Sequence, residues 1–552
     1  MAKKQQKQGR PSEDIESVRI PIIGSALNRG STASKDQRFV NGYFWATKNP
    51  VTGEQTFQFV KRPGLTLINQ PPAAAAAGRG HLSWGGNIYS VFGTKIYKGT
   101  TDLGVTLATS SGQCGFAETR PGATTQYLGV NDGTSLYLIK TDDTVVVLNN
   151  KVITSASIAN PTVVTATGHG LTTGNKIIIR GQTLAVPELN GTVYTVTVTG
   201  VDTFTIPVNV TTAGAGGTIG VFPTANTGHL EYMDGYWFVV KAAGTIWNCD
   251  VDDPTLWDPT KFLTAQMFGD TAYAITKHNN LILMLLEKST QAFYNNANSS
   301  GSPLSNYESG AQQVGTKFKN SVASAEGASA WLGNSKTGGH SVWALTGNST
   351  EEIATTQIKL LLDAETTTLS SSIGRIARMG GKKFYILELL TLNRTLIYDF
   401  DTTLWSEFES TTADVRWGMC SFSEHSTNAL TCQHISNGNI YSVSPTVYQD
   451  NAVSFTVLAR FGRIDLGTNA RKFVAGYEFI GDKQSTTTNV SFQYSDDDYA
   501  TLSTARTVDM SRARAFLKQG GNFRRRAHQM SYSGANPLRM EAVEMFYRMG
   551  DK

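Results

Sequence analysis

A chain of 552 residues exceeds what one ordinary core holds, because single cores stop growing near ~250–300 residues. A hydrophobic share of 40% with 10% aromatics excludes global disorder, and a net charge of +4 excludes a protein that coats nucleic acid along its whole surface. The 53 glycines exceed the usual ~7%, which suits many short strands and tight turns.

Residues 1–16 are polar and basic and are expected to form a flexible arm. No apolar stretch follows Met1 to Arg10, so a secretory signal is not expected. Residues 17–78 read as an N-terminal β segment and linker. Within it Phe57-Gln58-Phe59-Val60 is a short strand, and Lys61-Arg62-Pro63-Gly64-Leu65 has the Pro-Gly chemistry of a type II turn. Pro71-Pro72 and the alanines after them form the linker proper.

A recurrent motif then begins: a Gly or Asn turn, an aromatic-rich apolar strand, and another tight turn. Gly86-Asn87-Ile88-Tyr89-Ser90-Val91-Phe92-Gly93, Asp234-Gly235-Tyr236-Trp237-Phe238-Val239-Val240, Lys382-Lys383-Phe384-Tyr385-Ile386-Leu387 and Asn437-Gly438-Asn439-Ile440-Tyr441-Ser442-Val443 carry it. Starts near His81, Tyr127, His229, Ile275, Ala328, Arg378 and Trp417 fall mostly ~40–50 residues apart, the period of four-stranded propeller blades. The expected fold is all-β, a β-propeller of six or seven irregular blades. Its first part is 79–154 and its second part 223–452. The long gap between repeats, 155–222, is rich in Thr, Val and Gly, nearly uncharged, and reads as an inserted small β domain. Residues 453–552 abandon the repeat and read as a C-terminal β-sandwich. Helical periodicity is scarce, with 356–365 the best candidate.

Chemistry is hard to find in this chain. No G-x-x-x-x-G-K-[ST] loop, G-x-S-x-G elbow or H-E-x-x-H occurs, and Lys336-Thr337-Gly338 stands without serine-enzyme partners and reads as a hairpin turn. His169 lies in a turn without neighbouring ligand residues. Asp250, Asp252 and Asp253, and Asp496-Asp497-Asp498, lack EF-hand spacing and read as solvated turns. No catalytic residue, cofactor site or metal site is therefore assigned. The scattered cysteines Cys114, Cys249, Cys420 and Cys432 suit a reduced, cytosolic site of synthesis. The longest apolar run, Leu281 to Leu286, is far short of a membrane span. Basic residues gather late in the chain: Arg506, Arg512, Arg514, Lys518, Arg524, Arg525 and Arg526 are the candidates for contact with an acidic partner or with DNA. Consecutive strand residues face opposite ways, so Arg524, Arg525 and Arg526 cannot all serve one contact. Without a sequence-reading motif any DNA contact would be electrostatic.

The order of several motifs resembles one known group. Lys61-Arg62-Pro63-Gly64-Leu65, then Ser289-Thr290-Gln291-Ala292-Phe293-Tyr294-Asn295, Ala330-Trp331-Leu332-Gly333 and Gly339-His340-Ser341-Val342-Trp343-Ala344-Leu345-Thr346-Gly347 resemble the tail hub or nozzle proteins of short-tailed bacteriophages. That group includes the packaged-DNA stabilisation proteins and, more loosely, tail tubular protein B. The insert, with Asn160-Pro161, Gly168-His169-Gly170-Leu171 and Leu189-Asn190-Gly191, is similar to a small β domain of many phage tail proteins. The C-terminal part departs from the group's Ser-Asp-Asp-Gly-Gly pattern, with Asp498-Tyr499 where glycines would sit. The resemblance implies a structural virion protein of the tail, made in the host cytoplasm and not inserted in a membrane. It implies a homo-oligomeric ring, a hexamer, against the head-to-tail adaptor ring and beside tail fibres, spikes or a needle. Double-stranded DNA would be retained by that ring and would pass its channel without sequence specificity. Two other readings stay open: a receptor- or carbohydrate-binding module of the tail, and a sialidase-like depolymerase whose paired acids lie far apart along the chain.

Overall fold

The computed structural model describes residues 15–20, 22, 37–48, 55–71, 76–335, 339–364, 369–425 and 429–550. Most of the expected arm at 1–16, residues 72–75 of the expected linker, and Lys336-Thr337-Gly338 lie outside the described residues. The backbone is almost wholly extended. Among the described residues one α-helix occurs, Thr356–Asp363, where helical periodicity was expected, and the Thr355 hydroxyl caps it by accepting from the Ile358 N–H. The chain divides into two compact units, one of 64–401 with 416–445, the other of 1–63, 402–415 and 446–552.

In the larger unit the described residues form seven antiparallel blades. The first is Gly78–Trp84, Asn87–Phe92, Lys95–Lys98 and Thr101–Thr106. The second starts at Gly115–Glu118, the third at Glu231–Met233, the fourth at Ala272–His278, the fifth at Ala323–Ala325, the sixth at Ile373–Met379 and the seventh at Met419–His425. These first strands neighbour one another in that order, and the last returns to the first, so they form a closed inner ring. The fold is a β-propeller, and of the two blade counts the spacing allowed, the structure has seven.

Closure uses the first and last strands of the propeller unit. The seventh blade has three strands of its own, and Gly64–Asn69 supplies the fourth by pairing antiparallel with Ile440–Ser444. The first and seventh blades are also stitched by polar side chains. Gln433 accepts from the Gly80 N–H at 2.9 Å and donates to the Val91 carbonyl at 3.2 Å, and the Ser83 N–H donates to the Ser423 hydroxyl at 2.9 Å. No turn occurs at Pro63-Gly64; only Arg62 and Pro63 separate the strand Gln55–Lys61 from Gly64–Asn69. The expected type II turn is thus absent, and two residues link the strands. Arg62 is buried there and held by Asn41, the Glu409 carbonyl and Asp450.

The inserted β segment 155–222 is joined to the second blade by its sheet and its core. Lys176–Arg180 pairs parallel with Val145–Leu148, extending the second blade's sheet. Ser155–Ala156, Thr162–Thr165, Thr197–Val198, Thr203–Ile206 and Gly214–Ala215 form a separate five-stranded sheet. Its Val164, Phe204 and Ile206 pack in one continuous core with Val91, Leu128 and Val147.

The smaller unit is a two-sheet β-sandwich. One sheet holds Gly42–Lys48, Gln55–Lys61, Arg539–Met549, Lys472–Gly481 and Phe516–Phe523, with Glu16–Ile20 also on Arg539–Met549. The other includes Trp405–Phe408, Arg38–Val40, Val457–Arg460, Ala527–Tyr532, Asn489–Ser495 and Arg506–Asp509. Phe44, Phe59, Tyr477, Phe479, Phe492, Met530 and Met545 fill the space they share. The sandwich expected from 453–552 is therefore completed by strands from the N-terminal segment and from 402–415.

Blades pack through glycine where an indole needs room. A Cβ on Gly129, in the second blade, would stand 2.2 Å from Cζ3 of the fully buried Trp237 in the third. The substitution Gly129→Val is expected to lower stability by about 1–3 kcal/mol through overpacking, read from the shift of the denaturant-unfolding midpoint. An unchanged midpoint would show that the two blades are not held at this contact.

Candidate functional site in the basic face and the axial cavity

The seven late cations are not equivalent. Arg506 spans to the neighbouring strand and donates to the carbonyls of Lys518 and Gln519 at 2.6 and 2.9 Å. Arg514 pairs with Glu478 at 2.7 Å and lies over the Phe516 ring. Arg524 donates to the Asn469 carbonyl, and Arg512 stands 4.0 Å from Asp509 while remaining exposed. Among the described residues, the exposed side chains of Lys518 and Arg525 have no ion-pair partner. These six are spread along the strands Arg506–Asp509 and Phe516–Phe523 and the turns beyond their ends, and Arg512, Lys518 and Arg525 leave cationic charge facing solvent.

Arg526 does not belong with them. It is 1% exposed, bonded to both oxygens of Asp496 at 2.7 and 2.9 Å, and sandwiched against the Tyr494 and Phe523 rings. Its guanidinium also reaches the carbonyls of Gly520 and Asn522. The alternation of strand faces, which Arg524 and Arg525 escape in a bend, turns Arg526 into the interior. As a contact candidate it is withdrawn.

The acidic clusters are also occupied. Asp250 pairs with Lys261, Asp252 with Arg120 at 2.6 Å, and Asp253 accepts from the Thr255 N–H. Asp497 caps Thr501 and is held down to about 2 by those hydrogen bonds. Among the described residues no three His, Cys, Asp or Glu side chains are placed to hold a metal ion. His169 accepts from the Leu171 N–H and approaches the Gly200 carbonyl, as a turn residue does.

Sequence reasoning missed the polar axis of the propeller. A cavity of about 230 Å³ is lined from the first strands of most blades and the segments flanking them, with His81, Gln113, His229, Glu231, Asn320 and Arg375 on its wall. Three of the repeat starts, near His81, His229 and Arg378, already pointed at these strands, but nothing in one strand says that its polar residue faces six others. His81 bridges the hydroxyls of Ser421 and Thr431, and burial pushes it down to about 3. His229 contacts Thr227 and the Lys319 carbonyl, and burial, then the charges of Lys319 and Arg375, push it down to about 3. Glu231 is pushed up to about 8 by burial. The Cys114 and Cys420 thiols are pushed up to about 12 by the same cause. At neutral pH these groups are uncharged. Arg375 keeps its charge and donates to Gln113 Oε1 at 3.0 Å and to the Gly374 carbonyl at 2.6 Å.

With this geometry in view, the comparisons with known proteins are specific in one respect. The family model described as Bacteriophage P22 Gp10, beta-propeller, matches residues 19–448. The chain belongs to that family. It is accordingly a structural phage tail protein, and its place is the virion. No curated protein matches it. Among solved structures it is similar to a streptogramin B lyase (9% identity, TM-score 0.33, covering 70% of this chain and 97% of that one). It is similar also to the N-terminal domain of Nup159 (9%, 0.35, 73% and 97%) and to the RRP9 WD40 repeats (7%, 0.36, 70% and 99%). Likenesses this remote say nothing about what the chain does.

Two outcomes follow from these placements. Replacing Arg526 by Ala is expected to cost about 3 kcal/mol, because it strips the partners of a buried guanidinium, whereas Arg525→Ala should leave the melting temperature unchanged. Equal effects on calorimetric melting would contradict the assignment. The second concerns pH. Desolvation pushes buried His81 and His528 and half-buried His229 down to about 3 and His434 to about 4, so below about 6.5 the unfolded chain binds more protons and stability falls with acid. Glu231 and Glu388, pushed up to about 8 and about 7, act oppositely: their stabilisation is full below about 4.5 and is lost as pH rises through those values. Melting temperature is therefore expected to rise to about pH 6.5 and to fall from there toward pH 7, where Lys61, pushed down to about 7 by burial, begins to oppose further loss; Glu231→Gln should flatten the fall.

Proposed function

We propose that this chain is the repeating subunit of a tail nozzle or hub: a ring of six copies below the portal and adaptor that retains packaged DNA and forms the channel for its ejection. Membership of the P22 Gp10 propeller family carries the reading. The physical character of the fold supports it. A propeller whose inner strands close on themselves leaves few free sheet edges, so it resists local opening and strand exchange. Rigid subunits of this kind suit a head-to-tail contact that closes under cyclic symmetry.

The partners in this reading are further copies of the chain, the adaptor ring, a tail needle, fibre or spike, and double-stranded DNA. The exposed cations Arg512, Lys518 and Arg525 supply a modest, sequence-independent attraction for phosphates. A channel wall must not hold DNA tightly, and a chain with 48 basic and 44 acidic residues suits sliding contact. Synthesis in the host cytoplasm fits four buried cysteines that are all free thiols.

The deciding experiment mixes the purified chain with its adaptor ring and measures particle mass and symmetry by mass photometry and electron microscopy. Six copies seated on the adaptor are expected. A particle that stays monomeric and never joins the adaptor would overturn the proposal.

A further inference from the structure

The propeller's axis holds a cation that its own surroundings do not neutralise. Arg375 lines the cavity with a guanidinium whose printed bonds go to Gln113 Oε1 and to the carbonyls of Gly374 and Asn320. Among the described residues it forms no ion pair. Those three bonds leave the Nε–H and one Nη2–H, two of the five donors a guanidinium presents.

The surrounding groups make the imbalance larger. Lys319, whose ammonium donates to the Thr227 carbonyl, adds a second positive charge beside His229. The one carboxylate on the wall, Glu231, bonds toward Thr276 and the Lys277 backbone in the next blade. Burial favours its neutral acid form at neutral pH. His81 and His229 have both ring nitrogens engaged by hydroxyls or a carbonyl and stay uncharged. A polar cavity of about 230 Å³ with net positive charge and paired guanidinium donors is chemically complementary to a small oxyanion. Water can solvate such a charge, but only an anion balances it in a site of low dielectric.

We propose that the axial cavity is a binding site for a small oxyanion of the phosphate class, with Arg375 as its principal ligand and the Gln113 amide beside it. The site lies wholly within the propeller and does not depend on the nozzle reading. Its function would be to tie blades together at their common axis, because one ligand held between the approach to the second blade and the sixth blade resists their separation. The stabilisation should then follow mass action, growing with ligand concentration.

Inorganic phosphate, with sulfate as a second probe and chloride at matched ionic strength as control, tests this by calorimetric titration and thermal shift on the full chain. A saturable one-to-one heat and a rise in melting temperature with phosphate or sulfate, absent with chloride, are expected. Arg375→Gln should abolish both, while Arg525→Gln on the exposed basic face should retain them. If Arg375→Gln does not fold, Gln113→Ala should weaken binding severalfold, and crystals soaked in phosphate should show density against Arg375. Equal shifts for all three salts, an unaltered titration in Arg375→Gln and Gln113→Ala, or ordered water alone in the soaked cavity would overturn the site.

Discussion

Ring closure is the constraint on which the larger unit depends. Each blade buries two faces against neighbours, so the seventh must meet the first or both lose half their packing. The chain solves this by giving the seventh blade a strand from before the first one, in the register Gly64↔Ser444 to Asn69↔Ile440. The entropy of closing so long a loop is modest, since each doubling of its length adds only about 0.6 kcal/mol. What holds the seam is then local: a four-stranded sheet plus the Gln433 and Ser423 side-chain bonds to the first blade. These bonds are directional, so they set the register of the seam as well as its strength.

The same chain manages buried cations by surrounding them with carbonyls. Arg79 is 1% exposed and donates to the carbonyls of Gly93, Thr109, Ser111 and Gly112 and to the Thr109 hydroxyl. It thereby fixes the loop that leads into the second blade. Arg62 does comparable work for Asn41, Glu409 and Asp450, with the Phe455 ring 3.8 Å from its guanidinium carbon. Lys61 is 1% exposed among Phe455, Tyr532 and Tyr448, and burial pushes its ammonium down to about 7. Each of these is satisfied by geometry that no composition count can see. Part of the basic content of this chain is therefore structural, and the surface is less basic than the total suggests.

Legibility in the sequence followed how local each signal is. The aromatic strand motif, the paired strands Leu281–Leu286 and Thr290–Asn295 and the short helix depend on neighbours a few residues away, and they appear as read. Blade number did not, because the second blade's sheet is extended by strands from 155–222 and the repeat period is lost there. The Arg524-Arg525-Arg526 run shows the limit well. Alternation implied only that the three could not all serve one contact; Arg524 and Arg525 in fact both face solvent in a bend, and only the fold decides that Arg526 meets Asp496. The axial residues were invisible for a deeper reason. His81, Gln113, His229 and Arg375 are brought together by the ring alone, each from a different blade or its approach, with no spacing between them to recognise.

The size of that axis also bears on where a channel could lie. A cavity of about 230 Å³, walled by hydrogen-bonded histidines and a half-buried guanidinium, has room for a small ion and not for a nucleic-acid strand. Propeller architecture tempts one to equate the central hole of the fold with a pore, yet here the inner strands approach closely enough to bury His81 at 3% exposure. A duplex must therefore be enclosed between subunits if this protein encloses one at all. The wall presented to DNA would then be an outer surface of each copy. In the proposed ring, assembly and DNA contact would be one geometric problem, because the symmetry that closed it would also select which face of each subunit turned inward.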